Sequence, residues 1–473
     1  MNHSRTAHDI AVVGAGAAGT LTALRLLHNA AAGRPAPARI WLIDPEPAGR
    51  GLAFGTDAPH HLLNVPAGRM SAHRDDPGHF VRWLGDRGGE HDFVPRGLFG
   101  RYLAESLETA GKHHAAPDLV RVPDRVVGIT HQPSAASSAA SPLSLRLRGG
   151  QSLDFDAAVL ALGNFAPGLA WVPPELRASG MFLADPWAPG ALATVPEDRD
   201  VLLVGTGLTM VDMALSLQRP GRVVHALSRH GLVPQPHATT PILAPATPEL
   251  DARSGLAGLR RAVLRQIAYC RRVHGDWRMG VDSLRPVTSA LWQQLSPADQ
   301  ARLLAQDLRL WETHRHRIPP VSARALRTAV DAGQVSIGRG TVADTKTTAD
   351  AHGDVVEVRL DNGRRLRVGA VLNCTGSEAD LTRIDDTLVT DLLSTGLGTP
   401  APVGGGFDTT AGGRLRPADD RAPAPLWTLG SLRRGNLLET TAIPEIRCQA
   451  DDLALLLLDR SALATRGEAA PAH

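Results

Sequence analysis

The sequence predicts an α/β protein with two Rossmann-type dinucleotide-binding domains, the second inserted in the first and carrying a helical insert. Three observations lead there. Two glycine-rich strand-to-helix turns lie about 190 residues apart, in DIAVVGAGAAGTLTALRLL (Asp9 to Leu27) and DVLLVGTGLTMVDMALSL (Asp200 to Leu217). After each turn the chain reaches a hairpin of alternating strands and then an apolar strand ending in a small-residue turn. Between the second turn and its hairpin, the texture changes to long helical patterns.

Each turn follows an apolar run that ends at a glycine and opens an alanine- and leucine-rich helix. Backbone N–H groups and the positive helix end then face a pyrophosphate. The first turn carries Gly14, Gly16 and Gly19, with Ala17 and Ala18 opening the helix. The next apolar run, RIWLID, ends at Asp44, placed to accept a ribose hydroxyl. An adenine dinucleotide is the expected ligand. The second turn has Gly205 and Gly207, followed by Leu208 and Thr209, but Met210 stands where a third glycine would fall. Its next run, RVVHALSRHG, ends not in an acid but in Ser228, Arg229 and His230. A guanidinium there suits a 2′-phosphate, so the second site reads as one for NADPH over NADH.

The internal echo runs through PLSLRLRGGQSLDFDAAVLALGNFAP, with Gly149-Gly150 as turn and Gly163 closing the strand, and VVEVRLDNGRRLRVGAVLNCTGS, with Asn362-Gly363 as turn and Thr375-Gly376 closing the strand. The expected division is a first domain over 1–167, a second over 168–340, and a return to the first over 341–473. SAASSAAS at Ser134 to Ser141 reads as a mobile hairpin tip.

The helical insert is expected at about 247–318. Apolar residues recur there at spacings of three and four, and Ser296-Pro297 reads as a helix start. Trp277, Trp292 and Trp311 read as core. His314, Arg315, His316 and Arg317 either complement a helix dipole and face water, or bind an anion.

At 473 residues the chain exceeds one ordinary core. A formal net charge of +2 gives no general pull toward nucleic acid or membrane. Cys270, Cys374 and Cys448 form no C-x-x-C, which disfavours a disulfide framework or redox dithiol and fits a reducing cytoplasm. No charged-then-apolar leader precedes the first strand and no apolar run is long enough to span a bilayer, so a soluble, intracellular protein is expected. A homo-oligomer is compatible with the chain.

Five segments carry a resemblance: GRGLAFGTDAPHHLLNVPAGRMSAHRDDPGHFVRWL, VGTGLTMVDMAL with ALSRHGLVPQPH, DWRMGVDSLRPVTSALW, ETHRHRIPP, and GSLRRGNLLETTAIPEIRCQA. Together they resemble the bacterial FAD/NAD(P)-binding flavoprotein family that includes N-hydroxylating monooxygenases acting on aspartate to make nitrosuccinate. More distantly the two-nucleotide plan is similar to the ornithine and lysine N-hydroxylases. The histidine that a Baeyer–Villiger fingerprint needs near SGMFLADPWAPG is missing.

The resemblance implies FAD in the first domain, NADPH in the second, and O2 activated as a C4a-hydroperoxyflavin that an uncharged amine attacks. It implies flavin contacts at Asn64 and Pro66 and a nucleotide contact at Gly430. Thr440 or Thr441 is expected to cap a helix that points at the flavin, with Pro444 in its first turn. Arg69 or His73 would face NADPH phosphate or substrate. A small acidic amino acid, aspartate first, needs arginine forks, for which Arg285, Arg315, Arg317 and Arg434 are the candidates beside Arg69. No residue is singled out as a catalytic base. Two other readings share the nucleotide features: a flavin-dependent NADPH oxidase or dehydrogenase, and a non-catalytic nucleotide-binding redox sensor.

Overall fold

The computed structural model describes residues 8–458 apart from 35, 133–141, 244, 352 and 420, and the expected mobile tip at Ser134 to Ser141 lies outside the described residues. Two five-stranded sheets organise the chain, and all of their pairings are parallel. In the first the order is Leu426–Thr428, Ala157–Leu160, Asp9–Val13, Arg39–Ile43, Asp118–Val122. In the second it is Phe182–Leu183, Ala370–Asn373, Val201–Val204, Val224–Ser228, Val335–Arg339. The order is the same when each sheet is read outward from its glycine-turn strand. Those central strands, IAVV and VLLV, are buried on both faces, as their unbroken apolar runs require.

The echo extends to a three-stranded antiparallel sheet in each unit: Val126–His131, Leu143–Leu147 and Ser152–Phe155 in the first, Val342–Asp350, Gly353–Leu360 and Arg365–Val368 in the second. Gly150 (φ +90°) and Gly363 (φ +81°) form the expected hairpin turns.

The chain crosses over twice. After Ala157–Leu160 it supplies the edge strand Phe182–Leu183 of the second sheet, and after Ala370–Asn373 it returns to supply the edge strand Leu426–Thr428 of the first. The sequence boundary at 341 therefore needs correcting. The hairpin after it feeds Ala370–Asn373, which pairs with Val201–Val204, so by strand pairing the second unit runs past residue 373. The two hairpins look alike in sequence, and only the pairing partner tells which sheet each one serves.

Five helices, Gly255–His274, Trp277–Ser283, Thr288–Gln294, Pro297–Gln306 and Leu308–Arg315, lie in the crossover between Val224–Ser228 and Val335–Arg339. They form the expected insert, and Ser296 caps the fourth by accepting from Asp299 N–H. Trp292 is core, packed with Leu256, Leu259 and Leu291, and its indole N–H donates to the Gly435 carbonyl at 2.8 Å. Trp277 and Trp311 both depart from the core expectation: Trp277 is half-buried and meets His314 edge-on, and Trp311 lines a cavity. No described helix is long and apolar enough to cross a membrane.

Candidate functional site

The first turn is built around Gly14, whose φ of +101° and whose clearance are both special: a Cβ there would lie 2.4 Å from the Ala161 carbonyl oxygen. Helix Ala17–Ala31 starts beyond Gly16, which is extended and nearly free of neighbours. Asp44 sits beside this turn, but its carboxylate already accepts from Ala15 N–H at 2.6 Å and Glu46 N–H at 2.8 Å. It braces the turn and still has lone pairs to accept further hydrogen bonds. Gly163 and Gly430 converge on the same place, since the Ser431 hydroxyl donates to the Gly163 carbonyl and Gly430 lies beside Ala18.

The second turn repeats the plan. Gly205 has φ +110° and no room for a Cβ, which would meet the Cys374 carbonyl at 2.1 Å. Met210 is wholly buried in the core of this sheet, so the missing third glycine is replaced by packing. Ser228 is occupied: its hydroxyl pairs with Thr206 Oγ1 at 2.7 Å and accepts from Gly231 N–H. Arg229, at the strand's end, is exposed and its guanidinium has no partner among the described residues.

A cavity of about 880 Å³ opens in front of the second turn. Its walls are Gly205 to Thr209 and Thr375-Gly376 on one side, Asn64, Pro66 and Arg69 on another, and the insert helix Leu308–Arg315 facing the segment Leu438 to Glu445. Gly14, Gly16, Asp44, Gly163 and Gly430 do not line it. The flavin-contact candidates therefore open onto the same space as the second nucleotide turn, whereas the first turn does not.

Thr440 corrects an expectation. Its buried hydroxyl donates to the Gly430 carbonyl at 3.0 Å and accepts from Gln449 Nε2 at 2.7 Å, so it ties the helix to Gly430 rather than capping it. Helix Ile443–Leu458 begins after Ala442, whose carbonyl accepts the Ile446 N–H. Thr441 is exposed to the cavity. His73 is also elsewhere: its ring packs against His28 and His79, and burial drives its pKa down to about 4. Sequence proximity to Arg69 hid that the chain turns inward between them.

All five candidate arginines line the cavity, but four are committed. Arg285 pairs with Glu445 (Nη2 to Oε2, 2.7 Å), Arg315 with Glu439 (2.7 Å), Arg317 with Asp282 and Arg434 with Glu312. Three of these pairs join the insert to the segment beside helix Ile443–Leu458. Burial, the largest influence, opposes the charge on Glu445, yet its hydrogen bonds to Arg285 together with the Arg285 and Arg315 charges hold its pKa below the usual value. Arg69 alone of the five is unpaired among the described residues. Of the His314 to Arg317 cluster, Arg315, His316 and Arg317 line the cavity, where Glu439 and Asp282 already pair with the two arginines.

Two histidines at the cavity are held neutral at physiological pH. His316 is pushed to about 4 by burial and then by Arg315. His237 is pushed to about 4 by burial and then by Arg317, and its Nε2 donates to the Asn64 carbonyl at 2.9 Å, locking the candidate flavin loop to the second unit. Neither His237 nor the acids Asp282, Glu312, Glu439 and Glu445 carry a sequence signal, because their partners lie far away in the chain. No described group of side chains has a metal-binding arrangement.

Leu438 is the one described non-glycine residue with positive φ (+59°). The Glu439 N–H reaches back to the Leu437 carbonyl at 2.7 Å, a strained γ-turn that aims Glu439 at Arg315 and at the Trp311 indole N–H.

Residues 11–165 match the family described as FAD-NAD(P)-binding, about a third of the chain. No curated protein sequence matches. Solved structures do: ornithine hydroxylase from Pseudomonas aeruginosa in its reduced form (TM-score 0.61, 17% identity, covering 96% of this chain and 99% of that one). L-lysine 6-monooxygenase from Pseudomonas syringae matches at TM-score 0.59 and 18% identity, over 96% and 99% of the two chains. A cadaverine monooxygenase of desferrioxamine biosynthesis from Erwinia amylovora, solved with FAD, matches at 0.61 and 12%, over 99% and 98%. The chain thus holds an FAD-NAD(P)-binding domain within the two-domain α/β fold that flavin-dependent N-hydroxylating monooxygenases also adopt.

Proposed function

We propose that this protein is an FAD- and NADPH-dependent monooxygenase that N-hydroxylates the amine of a small amino acid, with O2 as co-substrate. The observation that carries the reading is the shared cavity: the second nucleotide turn and the loop Asn64 to Arg69 face one space, as hydride delivery to a flavin requires. The residues fit both cofactors, since Gly16 and Gly207 each leave open the space a side chain would fill in front of a helix end.

Bound FAD supplies oxygen activation and NADPH the hydride; the chain supplies the rest. The N-terminus of helix Ile443–Leu458 favours negative charge nearby, and the Arg285 charge offsets Glu445 in its first turn. The ion pairs between insert and helix segment fix these two cavity walls against each other. His237 holds the Asn64 loop in place.

Aspartate remains the first substrate to try, with Arg69 offering an uncommitted fork and Arg315 or Arg434 a second anchor if its acid partner moves. The ornithine and lysine named for the similar structures give a second reading, an amine that keeps another positive group. An NADPH oxidase would share the cavity but yield only hydrogen peroxide, and a sensor would not be reduced.

The test is anaerobic reduction of the FAD-loaded protein by NADPH in a stopped-flow instrument, then mixing with oxygenated buffer and aspartate, ornithine or lysine, with nitrogen-oxidised products scored by mass. Rapid bleaching and an N-oxygenated product support the proposal, whereas bleaching with hydrogen peroxide alone points to the oxidase and no bleaching to the sensor. Arg229→Ala should raise the NADPH KM roughly tenfold or more while leaving that for NADH nearly unchanged, the scale of one lost charge-assisted hydrogen bond. Equal effects on both nucleotides would remove the 2′-phosphate assignment.

A further inference from the structure

Arg309 stands opposite the second glycine turn. Two of its guanidinium nitrogens lie 3.7 Å from the point where a Cβ on Gly207 would sit. Gly207 caps helix Leu208–Leu217 with no side-chain hydrogen bond, so the first N–H groups of that helix keep their donors. A guanidinium and a helix end therefore face each other across the space that Gly207 leaves open. Arg309 is poorly satisfied by protein: Nη2 reaches the Leu232 carbonyl at 3.3 Å, and Nη1 stops 3.7 Å from the Glu312 carboxylate, beyond hydrogen-bonding distance. The other cavity arginines of the insert sit in close ion pairs.

We infer that Arg309 binds the pyrophosphate of the dinucleotide at the second turn, closing on it from the side opposite the helix end. The inference rests on the nucleotide reading proposed above. A diphosphate bridge carries two negative charges, and a helix end offsets about half of one. A guanidinium with spare donors, beside the open face of the turn, supplies what the turn lacks. Arg309 and Arg229 then have separate tasks. Arg229, at the end of the next strand, addresses the ribose phosphate, and Arg309 addresses the bridge that NADPH and NADH have in common.

The placement also gives the insert a role in the cofactor site. Arg309 lies in the first turn of helix Leu308–Arg315, and Arg315, in its last turn, pairs with Glu439 beside helix Ile443–Leu458. About 9 Å of rigid helix separates the two arginines at 1.5 Å per residue. One element thus sets the dinucleotide against the segment read as flanking the flavin.

The experiment is isothermal titration of the oxidised, FAD-loaded protein with NADP+ and with NAD+, for the wild type and for Arg309→Ala, Arg309→Gln and Arg229→Ala. Both Arg309 variants should weaken NADP+ and NAD+ by the same factor, roughly 10- to 100-fold. Arg229→Ala should weaken NADP+ alone. Gln can still donate to the Leu232 carbonyl, so an arginine that merely braces that loop would be replaced by Gln without loss of nucleotide affinity, and that result overturns the inference. So does a loss confined to NADP+, which would move Arg309 to the 2′-phosphate. FAD content and melting temperature identify any variant that has failed to fold, and the Gln variant then provides the reading. A wild type that binds neither nucleotide would overturn the second-site reading itself, a different outcome from a wild type that binds both and an Arg309→Gln variant that binds them equally well.

Discussion

Gly16→Val should give a folded protein that purifies with less than about a tenth of the wild-type FAD, and Gly207→Val a yellow protein that NADPH no longer reduces. Both positions are extended, a conformation valine favours. A Cβ at Gly16 would meet nothing closer than Gly51 Cα at 3.7 Å, and one at Gly207 only the Arg309 guanidinium at the same distance. The fold therefore tolerates the side chain, and the pyrophosphate does not. Gly14→Val and Gly205→Val should behave differently. There the new Cβ would press on the Ala161 or Cys374 carbonyl at 2.4 or 2.1 Å, at φ values L-residues rarely adopt. Clash and backbone strain together should exceed ~4 kcal/mol, enough to lose most soluble protein. Flavin absorbance per milligram and melting temperature separate the two pairs. If Gly16→Val retains stoichiometric FAD, the first turn is not a dinucleotide site.

Acid should loosen the protein well above the pH at which carboxylates titrate. His61, His73, His237 and His316 each have a pKa lowered from 6.5 to about 4, with burial as the leading cause. A histidine that is neutral in the fold and charged in the unfolded chain stabilises the fold above pH 6.5. That stability declines as pH falls from 6.5 toward 4. Allowing for partial exposure, each site contributes on the order of 1–2 kcal/mol that is gone by pH 5, and four together rival the net stability of a domain. Three of them stand where the two units meet. His61 contacts Ser216 and Trp187 near the Arg96–Asp212 pair, His237 holds the Asn64 loop, and His316 lines the cavity. The melting temperature should fall steeply between pH 7 and 5, and His237→Gln should flatten part of that fall. A melting temperature constant over that range would show that these rings protonate freely in the folded protein.

The glycine turns, the hairpins and the insert were legible in sequence because each depends on neighbours within a few residues. Turn glycines need positive φ or clearance, Asn362-Gly363 forms a local turn, and Ser296 caps its own helix. The fold class followed from repeating such local signals twice. Pairing partners were not legible. Whether the hairpin at 342–368 feeds one sheet or the other depends on which strand edge Ala370–Asn373 joins, about 170 residues away in the chain.

Charge was readable as composition but not as commitment. Arg285, Arg315, Arg317 and Arg434 looked like free forks, and the fold brought an acid to each. Thr440 looked like a cap and became a brace to Gly430, while Arg309, which no motif marked, came to face Gly207. Local steric rules are written in adjacent residues, so the chain alone specifies its nucleotide turns. The electrostatic state of the cavity is set by groups whose proximity arises only when the two sheets and the insert pack together.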